Sequence, residues 1–448
     1  MLGTEYNWLV ESTNPAHGAP KIRMAGGGMI TLAIAVFCFV CIAARAEPAH
    51  LQLMREASTL AKTGDMKPVI AKLEAAKALR PDYPRILYGL ARIYASASRP
   101  DDALLQLREL AAMGLAFDVA RDPTLDPLQG TTGFAFVAQI FAANHAPFGR
   151  GETTLALPGV DGIIEGLACH PVTHNWYFGD VRNRCIWIRT GSDATATIRK
   201  FSADTDNLAG IFGLKLDEKH NSLWAATAAL PEMKGYTAAD EGRAALVEFD
   251  LATGRVKRSF AVPADGHPHV LGDLLLAADG SVFTSDSTAP IIWRLAPVAT
   301  QLEKWVESAD FVSLQGLAPG ADGKSLVVAD YANGLWRIDL ASRTVALLTP
   351  PAHTTLFGID GLYAVRGGFV AVQNGIQPER VVRIAVGVDG QPTAVQVLAA
   401  GQEMMTDLSL GQVVGDRFHF IGNSGWSLYA DPKSTPAPRD VTVLSTQF

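Results

Sequence analysis

Cysteine is nearly absent: four in 448 residues. Two of them, Cys38 and Cys41, fall inside an apolar stretch near the N-terminus, so their C-x-x-C spacing carries no redox meaning. Cys169 and Cys185 remain, and a disulfide framework is excluded as the source of stability. Positive charge is also short. Net charge is −7 with a pI near 5.8, which argues against nucleic acid or an anionic membrane surface as a partner. Familiar catalytic signatures are missing: no G-x-S-x-G elbow, H-E-x-x-H helix, P-loop or dinucleotide fingerprint occurs. Long hydrophobic runs are confined to Met29–Ala43, an apolar core of about 15 residues, short for a membrane-spanning helix.

That run follows Lys21 and Arg23 and precedes Ala44-Arg45-Ala46, the layout of a secretory signal. Residues 1–46 are therefore expected to be a leader cleaved after Ala46. The product would be secreted or periplasmic and free of the membrane.

What is present is repetition. Six short copies recur: Glu165-Gly166-Leu167, Phe212-Gly213-Leu214, Gly272-Asp273-Leu274, Gln315-Gly316-Leu317, Asp360-Gly361-Leu362 and Asp407-Leu408. Behind each comes an aromatic or β-branched run: Trp176–Asp180, Leu223–Thr227, Val282–Asp286, Leu326–Asp330, Phe369–Asn374 and Phe418–Asn423. A third run follows, at Cys185–Ile188, Leu246–Asp250, Ile291–Leu295, Leu335–Leu340, Val381–Ala385 and Trp426–Ala430. Short strands repeating every 40–50 residues or so mark propeller blades, which pack radially because one blade cannot bury both faces. The fold class is mainly β: a six-bladed β-propeller over 153–448. Thr153–Leu157 and Val441–Thr446 are both strand-like, and one should complete the last blade. Cys169 on strand one and Cys185 on strand three would sit nearly 10 Å apart, too far for a bridge. One spacing is long, and the excess lies in Ala228–Arg243, which could overhang the channel mouth or be a simple surface insertion.

Residues 47–146 differ. Leu53, Ala57, Leu60 and Ala61, then Val69, Leu73, Ala76 and Leu79, follow helical periodicity. With Leu87, Leu90, Ala91, Tyr94, Ala103, Leu107 and Leu110, the pattern resembles tetratricopeptide repeats, but too few for an independent solenoid. The segment is expected to be either a groove for a protein partner or a cap leaning on the propeller, with Pro147–Glu152 as linker.

Propeller geometry brings the starts of the innermost strands together around the axis. Glu165, Asp273 and Asp360, with Asp407, are carried there. Gathered carboxylates repel unless a cation compensates, and hard oxygen donors suit Ca²⁺ or a similar divalent metal. In this order they resemble the gluconolactonase and regucalcin family of six-bladed propellers. There a Glu, two Asn and an Asp-Gly aspartate hold one divalent metal. The resemblance implies Glu165 and Asp360 as ligands, with Asp360 also the general base. Where the family has its Asn residues this chain has Gly272 beside Asp273, and Gln315. The implied metal set is thus Glu165, Asp273, Gln315 and Asp360. Related lactone-hydrolysing propellers use a histidine base, and His269, with His267 and His353, lies in a mouth loop. Asp180, Asp286, Asp330, Asn374 and Asn423 end second strands, either as pocket or as turn residues. The expected function is a metal-assisted lactone or ester hydrolase acting on a small molecule at the propeller mouth. The alternative is a non-catalytic binding or interaction protein.

Overall fold

The computed structural model describes residues 47–191, 195–431 and 433–448. The leader and its cleavage site lie outside the described residues. Among the described residues no helix is long and apolar enough to cross a membrane.

Six antiparallel sheets form the propeller. Blade one runs Ile164–Cys169, Trp176–Asp180, Cys185–Thr190 and Thr197–Lys200 from the axis outward. Its second strand is buried throughout and its outermost is largely exposed. That gradient follows from position: inner strands are covered on both faces by neighbouring blades, so they read as continuous apolar runs rather than alternations. Blades two to five begin at Gly210, Leu271, Leu314 and Ile359 and repeat the plan. Aliphatic and aromatic clusters fill the wedges between blades, such as Ile211, Leu223 and Phe249 against Tyr177 and Ile188. Cys169 and Cys185 are free and buried, as their strand positions require.

Blade six closes the ring. Its third strand is Arg439–Gln447, and the outer strand is supplied from the N-terminal side by Glu152–Val160. Both segments expected to serve closure therefore join the same blade. The run Trp426–Ala430, expected as that third strand, instead forms a short 3-10 turn at Ser427–Tyr429. Gly425 ahead of it has φ of 101°, a turn conformation that breaks extension.

Second strands end in a shared clasp. Asp180, Asp286 and Asp330 are fully buried, and each accepts an indole N–H from strand three, from Trp187, Trp293 and Trp336 at 3.0, 3.1 and 3.3 Å. Each also takes backbone N–H groups of adjoining loops, as Asp330 does from Val312 and Ser313. These aspartates hold blades together, since buried charge persists only when fully hydrogen-bonded.

Among the described residues five α-helices precede the propeller: α1 Ala49–Ala61, α2 Met66–Leu79, α3 Pro84–Ser96, α4 Pro100–Ala112 and α5 Thr132–His145. Pro84 and Pro100 open α3 and α4 where a missing N–H costs nothing. Their core includes Tyr83, Ile86, Leu87 and Leu90 and extends to Phe357 and Ile376 of the propeller. Arg80 pairs with Asp82 and donates to the Asn333 carbonyl, and Ala116 N–H donates to the Gln377 carbonyl at 2.7 Å. The helices thus lean on the mouth face at blades four and five. The expected linker is partly a strand: Phe148–Gly149 adds to the edge of blade five.

Candidate functional site

The six-fold repeat has a local cause. In blades one to five the pairing of strand one with strand two slips at the repeated dipeptide: between Ile164 and Gly166, Ile211 and Leu214, Leu271 and Leu274, Leu314 and Leu317, and Ile359 and Leu362. Such bulges break alternation and re-aim side chains. The glycines permit the crowding. A Cβ on Gly166 would lie 2.0 Å from the Phe212 carbonyl of the next blade, and one on Gly316 would lie 2.4 Å from the Leu362 nitrogen. The residue ahead of the glycine (Glu165, Phe212, Gln315 or Asp360) lines a common cavity at the axis.

That cavity encloses about 660 Å³. Its carboxylates are Glu165, Glu232, Asp273, Asp360, Glu379 and Asp407, and no Lys, Arg or His lines it. Leu230 and Glu232 come from the insertion, so Ala228–Arg243 does overhang the mouth. It is anchored there by Met233, buried against Ala209 and Ala229, and by Lys234 on Asp161. Ser287, Tyr331 and Asn374, each one residue beyond the clasp position of its blade, also face the cavity.

Burial shapes the electrostatics. Glu165 is buried, and desolvation, then the charges of Asp360 and Asp407, push its carboxyl well above the usual range against a hydrogen bond from Trp426. Asp360, partly open to the cavity, is pushed up to about 6 by burial, with Asp273 adding and Asn374 Nδ2 at 2.8 Å opposing. Glu379 is raised to about 7, mainly by burial, although Leu408 N–H donates to it at 2.7 Å. Glu379 was not found by sequence reading, because it lies in the loop just before a third strand and belongs to no repeated motif. Trp426 was missed because its run was read as a strand.

All four expected ligands line the cavity, and each already has a protein partner, Glu165 in Trp426 and Asp360 in Asn374. Asp273 Oδ1 accepts from Lys215 Nζ at 2.9 Å, and Gln315 Oε1 accepts from Ser287 at 3.2 Å. Among the described residues, no three His, Cys, Asp or Glu side chains gather closely enough to hold a metal ion. Asp273 and Gln315, the two departures from the family's ligand set, each commit a side-chain oxygen to a protein partner. His269 does not line the cavity. It is 2% exposed, with Nδ1 2.7 Å from Asp286 and Nε2 3.1 Å from Asp265. Burial opposes its protonation, but the two carboxylates prevail and raise its pKa. It acts as a strut between a mouth loop and the blade-three clasp. His353 is exposed beside Glu109 of α4, away from the cavity.

No protein-family model and no curated protein matches the chain. Several solved propellers are similar in shape. A protein described as a gluconolactonase shares 20% identity at a TM-score of 0.44, covering 66% of this chain and 93% of its own. A calcium-binding regucalcin from Agrobacterium tumefaciens shares 15% at 0.45, covering 66% and 95%. A luciferin-regenerating enzyme shares 15% at 0.45, covering 68% and 96%. The neighbours are thus of gluconolactonase and regucalcin type, while the six blades here stand on their own strand pairing.

Proposed function

We propose that this cavity is the active site of a hydrolase acting on a small lactone or ester. One observation carries the reading: three carboxyls around one cavity are all pushed up by burial, Asp360 to about 6, Glu379 to about 7 and Glu165 well above its usual range. Separated acids in one site divide base and acid roles. At neutral pH Asp360 is ionised and open to the cavity, and Asn374 fixes its orientation. Asp360 takes a proton from water as the water oxygen bonds to the substrate carbonyl carbon. When the carbon–oxygen bond to the leaving group breaks, protonated Glu379 gives its proton to the departing alkoxide. Protonated Glu165 can donate to the oxyanion between these steps. A divalent ion, where bound in this class of site, polarises the carbonyl. No step here is routed through one, because Asp273 and Gln315 are engaged.

Asp360→Asn should lower kcat by about 100-fold on any lactone or aryl ester turned over, within the range general-base catalysis supplies. The wild-type rate should be bell-shaped in pH, rising as Asp360 ionises near 6 and falling as Glu379 loses its proton near 7. An inert panel, or an unchanged Asp360→Asn rate, defeats the proposal. The engaged Asp273 and Gln315 favour the second reading, a binding protein with no chemistry. Export is proposed for the leader: N-terminal sequencing of the exported protein should begin near Glu47, and a full-length, membrane-retained chain would refute it.

A further inference from the structure

The cavity holds more negative charge than its surroundings answer. Lys215 pairs with Asp273, yet among the described residues no Lys, Arg or His forms an ion pair with Glu165, Glu232, Asp360, Glu379 or Asp407. Even with Glu165 and Glu379 protonated, Asp360, Asp407 and Glu232 remain without a counter-ion. Two further oxygens are orphaned: Asp273 Oδ2, in a residue 1% exposed on the cavity wall, and Asn374 Oδ1. Both are acceptors in a space where an unmet acceptor is costly. A ligand that brings both a cationic group and a hydrogen-bond donor resolves all of this at once.

The kind of cation follows from how the acceptors are spread. A small hard ion needs them converged on one point, and no three acidic groups converge. The remaining walls are aromatic. Trp426 and Phe212 lie side by side, ring centroids 6.2 Å apart and tilted by 32°, and Tyr331 adds a third ring. Dispersed carboxylates beside aromatic faces suit a charge carried on carbon-substituted nitrogen.

We propose that the ligand of this cavity carries an alkylated ammonium group seated against Trp426 and Phe212, with a hydroxyl on the same molecule as donor to the orphaned oxygens. This deepens the hydrolase reading by naming the charge on its substrate, but the binding does not require the reaction.

Choline and its neutral isostere 3,3-dimethylbutan-1-ol separate charge from shape. Calorimetric titration of the whole protein should show choline binding at least about tenfold tighter than the isostere. Trp426→Leu and Asp360→Asn should each weaken choline several-fold, with folding checked by thermal melts. Equal affinity for the two compounds, or no binding of choline, overturns the proposal. So does a calcium isotherm that choline cannot compete with, since the charge would then belong to a metal. Choline binding without turnover of any lactone or ester sinks only the hydrolase reading. Turnover of neutral lactones without choline binding sinks only this one.

Discussion

Glu379 shows how a single side chain can tax the fold. Its carboxyl is ordinary near 4.5 when unfolded and near 7 when folded, chiefly through burial. Between those values the folded chain keeps a proton that the unfolded chain has released. Stability therefore falls as pH rises from about 4.5 to 7 and stays low above, by an amount on the order of 3 kcal/mol. Glu379→Gln keeps an acceptor for the Leu408 N–H and removes the charge. Its melting temperature should match wild type at pH 4 and exceed it at pH 8; equal melting at both values would mean that Glu379 titrates normally. The same scale explains why His269 misled sequence reading. A histidine in a mouth loop looks available, but the carboxylates that hold both its nitrogens come from Asp265, four residues earlier, and from Asp286 at the end of the blade's second strand. Nothing in the local sequence reveals that both contacts close.

Among elements, the bulged inner strand matters most. Gly166→Ala would set a methyl 2.0 Å from the Phe212 carbonyl, a backbone atom unable to swing aside. The cost should be about 3 kcal/mol, read as a lower urea midpoint at unchanged slope. Gly323→Ala is the control: its φ of 65° is mildly unfavourable, but nothing lies within 4 Å, so the loss should be near 1 kcal/mol. Equal losses at the two sites would mean that blades do not press together there. The first three strands of five blades were legible because inner strands, covered on both faces, appear as unbroken apolar runs. The bulges were not. Strict alternation would turn Asp273 away from the axis, whereas the slipped register after Leu271 leaves it on the cavity wall. The last blade was misread for a related reason. Trp426–Ala430 is apolar enough for a strand, but its aromatic ring serves the cavity.

At the scale of the whole molecule, the helices are part of the propeller's rim. Phe357 and Ile376 lie in the helical core, and buried Arg380 donates to the Met113 carbonyl beyond α4. Deleting residues 47–146 would expose those apolar groups and free the Gln377 segment beside Glu379. The shortened protein should melt lower than the full chain and associate in sedimentation runs. A monomer of unchanged melting temperature would show that the helices contribute nothing to the propeller. Sequence showed that there were too few helices to stand alone, but not which blades they would meet. The contact uses Asn333, Gln377 and Arg380, polar residues that read as ordinary loop chemistry.

Closure of the ring also sets an order of events in synthesis. Arg439–Gln447 lies between Glu152–Val160, made before any blade, and Arg417–Ile421, made shortly before it. Glu152–Val160 must wait, unpaired on its inner side, until Arg439–Gln447 has been made. A truncation just before Arg439 would strand a segment made nearly three hundred residues earlier. Loss of that one late strand would then be as damaging as loss of a strand within a blade.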